Sequence, residues 1–240
     1  MRIDDNHWLK TTPIAHRGLW GEDVIENSLT AYKNAVNNGY AIEIDLYSST
    51  DGVLYSFHDA LLKRMTGAEG YIWDYDSAYL DTLRLNGSNE KIPTFRDVLH
   101  VVNGKVPLLI EIKNCPDEMI VERVLDELFE YQGEIAIQSF NPLYINKVRK
   151  IAPYIIRGVL GTSKADGEPW FNRFVLKHLA LNFLVKPDFV SMRYKDLPLP
   201  KRKTKGKAVL AWTVKSKEVQ LSLKDKCHNI IFEHFIPEKD

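Results

Sequence analysis

The chain has 240 residues, enough for one large domain, and 45% of them are apolar, which suits a globular core. Acids and bases balance at 32 each, so no bulk charge points to a nucleic-acid partner. Its two cysteines, Cys115 and Cys227, make no disulfide framework, the first residues lack a signal-peptide core, and the most apolar run, residues 179–185, is far short of the ~20 residues that cross a bilayer, so a soluble cytoplasmic protein without membrane insertion is expected.

In chain order, residues 1–12 read as a polar lead-in. Ile14-Ala15, stopped at His16, gives a first strand. Asn27-Ser28 can cap a helix with Leu29, Tyr32, Ala35 and Val36 at helical spacing, ended at Gly39. Residues 41–47 alternate apolar and polar, which puts Glu43 and Asp45 on one face. Asp51-Gly52 signals a hairpin whose returning strand, 53–58, brings His58 back to roughly the level of Asp45. Residues 59–92 hold no long periodic pattern and read as an irregular excursion. Thr94 caps the next helix. Residues 106–113 form a strand with Glu111 and Lys113 on one face, and 117–131 a helix with a stripe from Ile120 to Phe129. Strands follow at 134–140, 155–160, 189–192, 208–214 and 230–233. Between them lie helices at 142–151, 170–185 and 217–224, and a basic, proline-containing loop at 197–207.

Without the hairpin arm, eight strands remain, mostly alternating with helices. That order means parallel strands with right-handed crossovers. The predicted fold is therefore α/β, a (β/α)8 TIM barrel over residues 1–240 as a single domain, with a small insertion after the second strand at about 53–92. An open doubly wound sheet would usually carry a Gly-x-Gly-x-x-Gly turn, and none is present.

His16, Arg17, Glu43, Asp45, Glu111, Lys113, Gln138, Ser139 and Trp212 all fall at or near the C-terminal ends of predicted strands, where barrel enzymes hold their sites. Two histidines with an arginine and acids suit metal-assisted work on a phosphate ester. Blander readings stand beside this one. Glu43 and Asp45 could form a solvated strand face, and His58 a structural turn histidine. Arg17 could simply pair with Glu43 or Asp45, Glu111 with Lys113, and Trp212 could serve packing alone.

The ordered set His16-Arg17-Gly18, Glu26-Asn27, Glu43-x-Asp45, Asp51-Gly52, His58-Asp59, Glu111-x-Lys113 and Trp212-Thr213-Val214 resembles the glycerophosphodiester phosphodiesterase family from residue 14 to 237. The resemblance implies a TIM barrel and one divalent cation, Mg²⁺ or Ca²⁺, held by Glu43, Asp45 and Glu111. It implies His16 and His58 as catalytic residues and Arg17 and Lys113 as phosphate contacts. Gln138 and Trp212 are assigned to substrate binding, with Glu26 and Asn27 in support. Ile25, Ser28, Lys215 and Glu233 depart from the family pattern.

The expected reaction is hydrolysis of a small glycerophosphodiester to glycerol 3-phosphate and an alcohol. A hard cation binds phosphate oxygen, Arg17 and Lys113 spread the developing charge, and two histidines move protons near neutral pH. Three alternatives compete. One is lysophospholipase D-like hydrolysis of single-chain lipids, with residues 60–75 and 165–185 as an apolar groove. Another is a catalytically silent binding protein on the same fold. The third is a glycosidase using Glu43 and Glu111, which leaves both histidines unexplained.

Overall fold

The structure, a computed structural model, describes residues 3–164 and 170–238, with side chains described from 174 onward in the second range. Residues 165–169 of the predicted groove therefore lie outside the described residues. Among the described residues nine strands occur: β1 Ile14–His16, β2 Ala41–Ser48, β3 Leu54–Ser56, β4 Leu108–Ile112, β5 Ile135–Ser139, β6 Ile156–Gly161, β7 Phe189–Arg193, β8 Ala208–Val214 and β9 Asn229–Phe232. The chain divides into two compact units, residues 1–16 with 135–240, and residues 17–134. No helix among the described residues is long and apolar enough to cross a membrane.

In the first unit β5, β6, β7, β8, β9 and β1 follow one another as parallel neighbours, with Gly158 opposite Phe189, Val190 opposite Val209 and Ile14 opposite Ile231. Parallel strands need crossovers, and the sequence supplies them. The helix Pro142–Ile151 starts where predicted. Asn141 accepts from the Leu143 N–H, proline sits in the first turn, and Ile145 and Val148 are buried. The predicted 170–185 helix is instead two, Trp170–His178 and Asn182–Val185. Leu179 takes a left-handed φ of 50° while its side chain stays buried, so the packing of that side chain outweighs the backbone preference. The lead-in is not simply polar. A helical turn, Trp8–Thr11, buries Trp8 and Leu9, Ile3 before it is buried too, and the Asn229 amide donates to the carbonyls of Trp8 and Thr12. The basic loop carries one helical turn, Lys201–Thr204, with no buried residue.

In the second unit β2 pairs in parallel with β4 and antiparallel with β3, with Leu46 opposite Ser56 and Ser48 opposite Leu54. The Ser49 N–H bonds the Val53 carbonyl, and Gly52 supplies the left-handed residue at φ 85° that the loop needs. The return matches the expectation for His58, because the Phe57 N–H bonds the Asp45 carbonyl at 3.0 Å. Residues 59–92 form more than an irregular excursion. Leu62, Met65, Ile72, Leu80, Leu85 and Ile92 build a small core with Tyr47, Tyr55 and Phe57 of the hairpin. The helix Phe95–Val102 opens with a reciprocal Thr94–Asp97 cap. The helix Ile120–Leu128 is shorter than the predicted 117–131. Phe129 falls past its last turn and is 81% exposed rather than part of the buried stripe.

Candidate active site

The second unit gathers a carboxylate cluster. Parallel register places Asp45 directly beside Glu111, and paired residues of neighbouring strands share a face. Glu43, two residues before Asp45, joins them by alternation. One oxygen from each of Glu43, Asp45 and Glu111 lies within 4.8 Å of the others, and all three residues are buried. Glu43 and Asp45 sit inside β2 rather than at its end, because β2 runs on as the first arm of the hairpin. Burial, then the negative charge of Asp45 and Glu111, pushes the Glu43 carboxyl well above its ordinary range. Burial and Asp45 also raise Glu111, against the pull of Lys113. Three carboxylates forced together out of water are costly unless cations neutralise them.

Lys113, two residues after Glu111 on the same face, supplies one cation. Its ammonium lies 2.9 Å from Glu111 Oε1 and 3.1 Å from Asp45 Oδ1. Burial opposes the charge on Lys113, but Asp45 and Glu111 more than offset it and hold its pKa above the usual lysine range. The ion pair contemplated for Glu111 and Lys113 therefore exists, and Asp45 belongs to it.

Arg17 sits in a tight loop after β1, with φ 60°, followed by Gly18 at φ 84°. A Cβ on Gly18 would lie 2.8 Å from the Cβ of Ala31, so the glycine of His16-Arg17-Gly18 is required by both backbone and space. The Arg17 N–H groups reach two acids. The backbone amide donates to Glu43 Oε2 at 3.2 Å, and Nη1 donates to Glu26 Oε1 at 2.8 Å. Nε lies 3.7 Å from Asp45 Oδ2. Arg17 is thus bound to carboxylates, as the blander reading allowed, which also fixes the guanidinium beside the cluster. Asn27 adopts φ 54°, a conformation asparagine tolerates, and its amide donates to Asp45 Oδ2 at 3.2 Å. The Tyr32 hydroxyl in turn donates to Asn27 Oδ1 at 2.8 Å. Glu26 and Asn27 therefore support the cluster, one through Arg17 and one through Asp45.

His58 follows β3, and its Nδ1 lies 2.7 Å from Asp59 Oδ1. A carboxylate at Nδ1 holds the proton there and makes Nε2 the basic nitrogen. Arg64 clamps Asp59 through Nε and Nη2, and Nη2 also reaches Glu26 Oε1 at 2.6 Å. Burial alone would raise Asp59, but His58 and Arg64 hold it well below the usual carboxylate range.

In the first unit His16, the last residue of β1, has the same arrangement. Its Nδ1 lies 2.5 Å from Glu233 Oε2, just past β9, and Lys215 Nζ lies 2.5 Å from the other oxygen of Glu233. Gln138 is buried on β5 and accepts from the Ser191 hydroxyl at 2.7 Å. Trp212 meets Phe140 edge-on, with ring centroids 5.7 Å apart. Its buried Nε1 has no hydrogen-bond partner among the described residues, at a cost of about 1–3 kcal/mol for an unmet buried donor.

The sequence reasoning missed Asp59, Arg64, Lys215 and Glu233 as site residues. Asp59 stands beside His58 in the chain, and Lys215 and Glu233 were visible as departures from the family pattern. Burial alone would raise Glu233, but His16 and Lys215 draw it down to about 2. A depressed carboxylate adds stability above its unfolded pKa of 4.5 and loses it as pH falls towards 2. Glu233→Gln should accordingly unfold at lower temperature than the wild type at neutral pH, with the difference shrinking from pH 4.5 to pH 2 in melting curves. A constant difference across that range contradicts the linkage.

Residues 16–235 match the glycerophosphoryl diester phosphodiesterase family, and the chain belongs to that family. A glycerophosphodiester phosphodiesterase of Caldanaerobacter subterraneus subsp. tengcongensis is 30% identical over 227 residues, covering 88% of each chain. Glycerophosphodiester phosphodiesterase 1 of Bos taurus is 28% identical, over 85% of this chain and 72% of the relative. Among solved structures, a phosphodiesterase of Oleispira antarctica in complex with the product sn-glycerol-3-phosphate matches with TM-score 0.76 and 24% identity over 92% of both chains. The fold shared with these structures is the (β/α)8 barrel expected from the alternation of strands and helices.

Proposed function

We propose that this chain is a glycerophosphodiester phosphodiesterase, a phosphoric diester hydrolase releasing glycerol 3-phosphate and an alcohol. The observation that carries the reading is the buried carboxylate cluster, with ligand atoms within 4.8 Å, flanked by Arg17 and Lys113 in a chain of this family. The family names of the relatives, and the glycerol 3-phosphate bound to the Oleispira antarctica phosphodiesterase, support the substrate class.

Three close buried carboxylates, two of them, Glu43 and Glu111, with raised pKa values, have the oxygen chemistry that suits a hard divalent cation, Mg²⁺ or Ca²⁺, so Glu43, Asp45 and Glu111 fit as its ligands. Bound there, the cation supplies charge neutralisation at a phosphate oxygen. Arg17 and Lys113 bind the remaining phosphate charge. One of His16 and His58 takes a proton from the glycerol 2-hydroxyl or from water, and the other gives one to the departing alcohol. Attack by the 2-hydroxyl gives a cyclic phosphate that water then opens. Gln138 and the Trp212 indole N–H orient the substrate, the latter by meeting an oxygen that satisfies its buried donor. A catalytically silent binding protein is the weaker reading, because every proposed metal carboxylate and both histidines are present.

Residues 1–240 act in this proposal as one phosphodiesterase domain in the cytoplasm, a compartment that suits a chain whose Cys115 and Cys227 are not joined in a disulfide. The test is an assay of glycerophosphocholine, glycerophosphoethanolamine and glycerophosphoglycerol with Mg²⁺, Ca²⁺ or chelator. Release of glycerol 3-phosphate that chelator abolishes and metal restores is expected. No metal-dependent release from any of the three overturns the assignment.

A further inference from the structure

The first unit carries a charged surface that the proposed chemistry does not use. Residues 174–207 hold nine lysines and arginines and two acids, in a chain whose acids and bases balance at 32 each. Backbone amides occupy both acids. Asp188 accepts from the Arg157 N–H at 3.1 Å, and Asp196 from the Ser163 N–H at 2.8 Å. Lys177, Lys201, Arg202, Lys203 and Lys205 make no ion pair among the described residues. In the helix Trp170–His178, Val175 is buried, while Phe174, Lys177 and His178 share the outward face at i, i+3 and i+4. Phe174 is 50% exposed, and its ring centroid lies 4.7 Å from that of His178. The helical turn Lys201–Thr204, which buries no residue, stands within electrostatic reach of this face. Loss of surrounding water, then the charges of Lys203, Lys177 and Arg202, hold the His178 pKa below its ordinary value. Burial and Arg202 do the same to Lys203.

Three features choose the partner. Like charges gathered without acids between them repel, and an anionic surface relieves that repulsion. Seven of the nine cations are lysines. Their compact charge suits a diffuse anionic surface, whereas the planar arginine fork suits the bidentate contacts of nucleic-acid recognition. Two phenylalanines of the same segment are offered to solvent, since Phe183 on the helix Asn182–Val185 is 76% exposed in addition to Phe174. Apolar rings among lysines are suited to the boundary between lipid head groups and acyl chains.

We propose that the face formed by Phe174, Lys177 and the turn Lys201–Thr204 docks this chain on an anionic phospholipid surface, as a peripheral contact in which no helix crosses the bilayer. Docking is a property of the first unit's surface and does not depend on the phosphodiesterase reading. Each cation near such a surface contributes about fivefold to binding, and a ring that enters the head-group boundary adds about tenfold.

The experiment measures co-sedimentation of the full chain with vesicles of phosphatidylcholine alone and of phosphatidylcholine mixed with phosphatidylglycerol, at low and high salt, and its binding to a single-stranded oligonucleotide. The wild type is expected to bind the mixed vesicles at low salt, to leave them at high salt, and to ignore phosphatidylcholine alone. The triple variant Lys201→Gln, Arg202→Gln, Lys203→Gln is expected to bind about a hundredfold more weakly, and Phe174→Ser about tenfold. A control triple variant, Lys33→Gln, Lys91→Gln, Lys105→Gln, removes the same charge from exposed positions of the second unit and should bind as the wild type does. Melting curves check the fold of each. Binding to neither kind of vesicle, or equal binding to both, overturns the proposal. Equal losses in the two triple variants overturn it as well, because net charge rather than this face would then carry the contact. Tighter binding to the oligonucleotide than to the mixed vesicles assigns the face to nucleic acid and also overturns it.

Discussion

His58→Ala is expected to lower kcat on glycerophosphodiesters by about 10²–10⁴, the usual cost of losing a general acid or base. The size of the loss tests a role and not a fold, for two reasons. The His58 side chain is 32% exposed, so its removal opens no core cavity. Its partner Asp59 keeps two donors from Arg64, so no carboxylate is left without a cation. The wild-type and variant melting temperatures should therefore lie close together while turnover falls. His16→Ala is expected to fall by a similar factor, since Lys215 still holds Glu233. Because a carboxylate faces Nδ1 in both histidines, Gln at either position should not restore the rate, whereas added imidazole should restore part of it in the alanine variants. If both alanine variants keep near-full turnover, the two-histidine mechanism is wrong.

Legibility in the sequence followed the range of the interaction. The Thr94–Asp97 cap and Pro142 in a first turn were readable because each is decided within a few residues. Glu43 and Asp45 could be put on one face because alternation is local. That Asp45 stands beside Glu111 depends on the register of two parallel strands, set by a crossover through the whole inserted segment. The link from His16 to Glu233 spans 217 residues, so no spacing argument could find it. The break at Leu179 was invisible for a different reason. Leucine favours helix and disfavours a left-handed φ, so only tertiary packing could stop the helix there. The insertion hid its core because its apolar residues follow no single period. They meet through short helical turns around Tyr47, Tyr55 and Phe57.

Lys113→Ala is expected to be the most destabilising single change at the site when divalent cations are removed, costing about 3–5 kcal/mol as for a buried ion pair stripped of one partner. That is a large share of the roughly 5–15 kcal/mol that holds a domain folded. The Lys113 side chain is only 12% exposed and touches both Asp45 and Glu111, so its loss leaves two buried carboxylates to repel each other and Glu43. The pH dependence has a definite sign. Glu43 and Glu111 already have folded pKa values above 4.5, so their ionisation costs stability as pH rises from 4.5 through the folded values. Without Lys113 that cost grows, and the chelated variant should melt lower relative to wild type at pH 8 than at pH 5. A divalent cation that binds the cluster stabilises the folded state by mass action, by about 2.7 kcal/mol at a hundred times its Kd. Mg²⁺ or Ca²⁺ should therefore raise the melting temperature of the wild type and should recover part of the Lys113→Ala loss. Glu111→Gln, which removes a proposed ligand and keeps the shape, should abolish most of the rise. If neither cation changes any of these melting temperatures, the cluster is a structural ion-pair network. Lys113 then serves to neutralise it, and the site has no metal to bring to the phosphate.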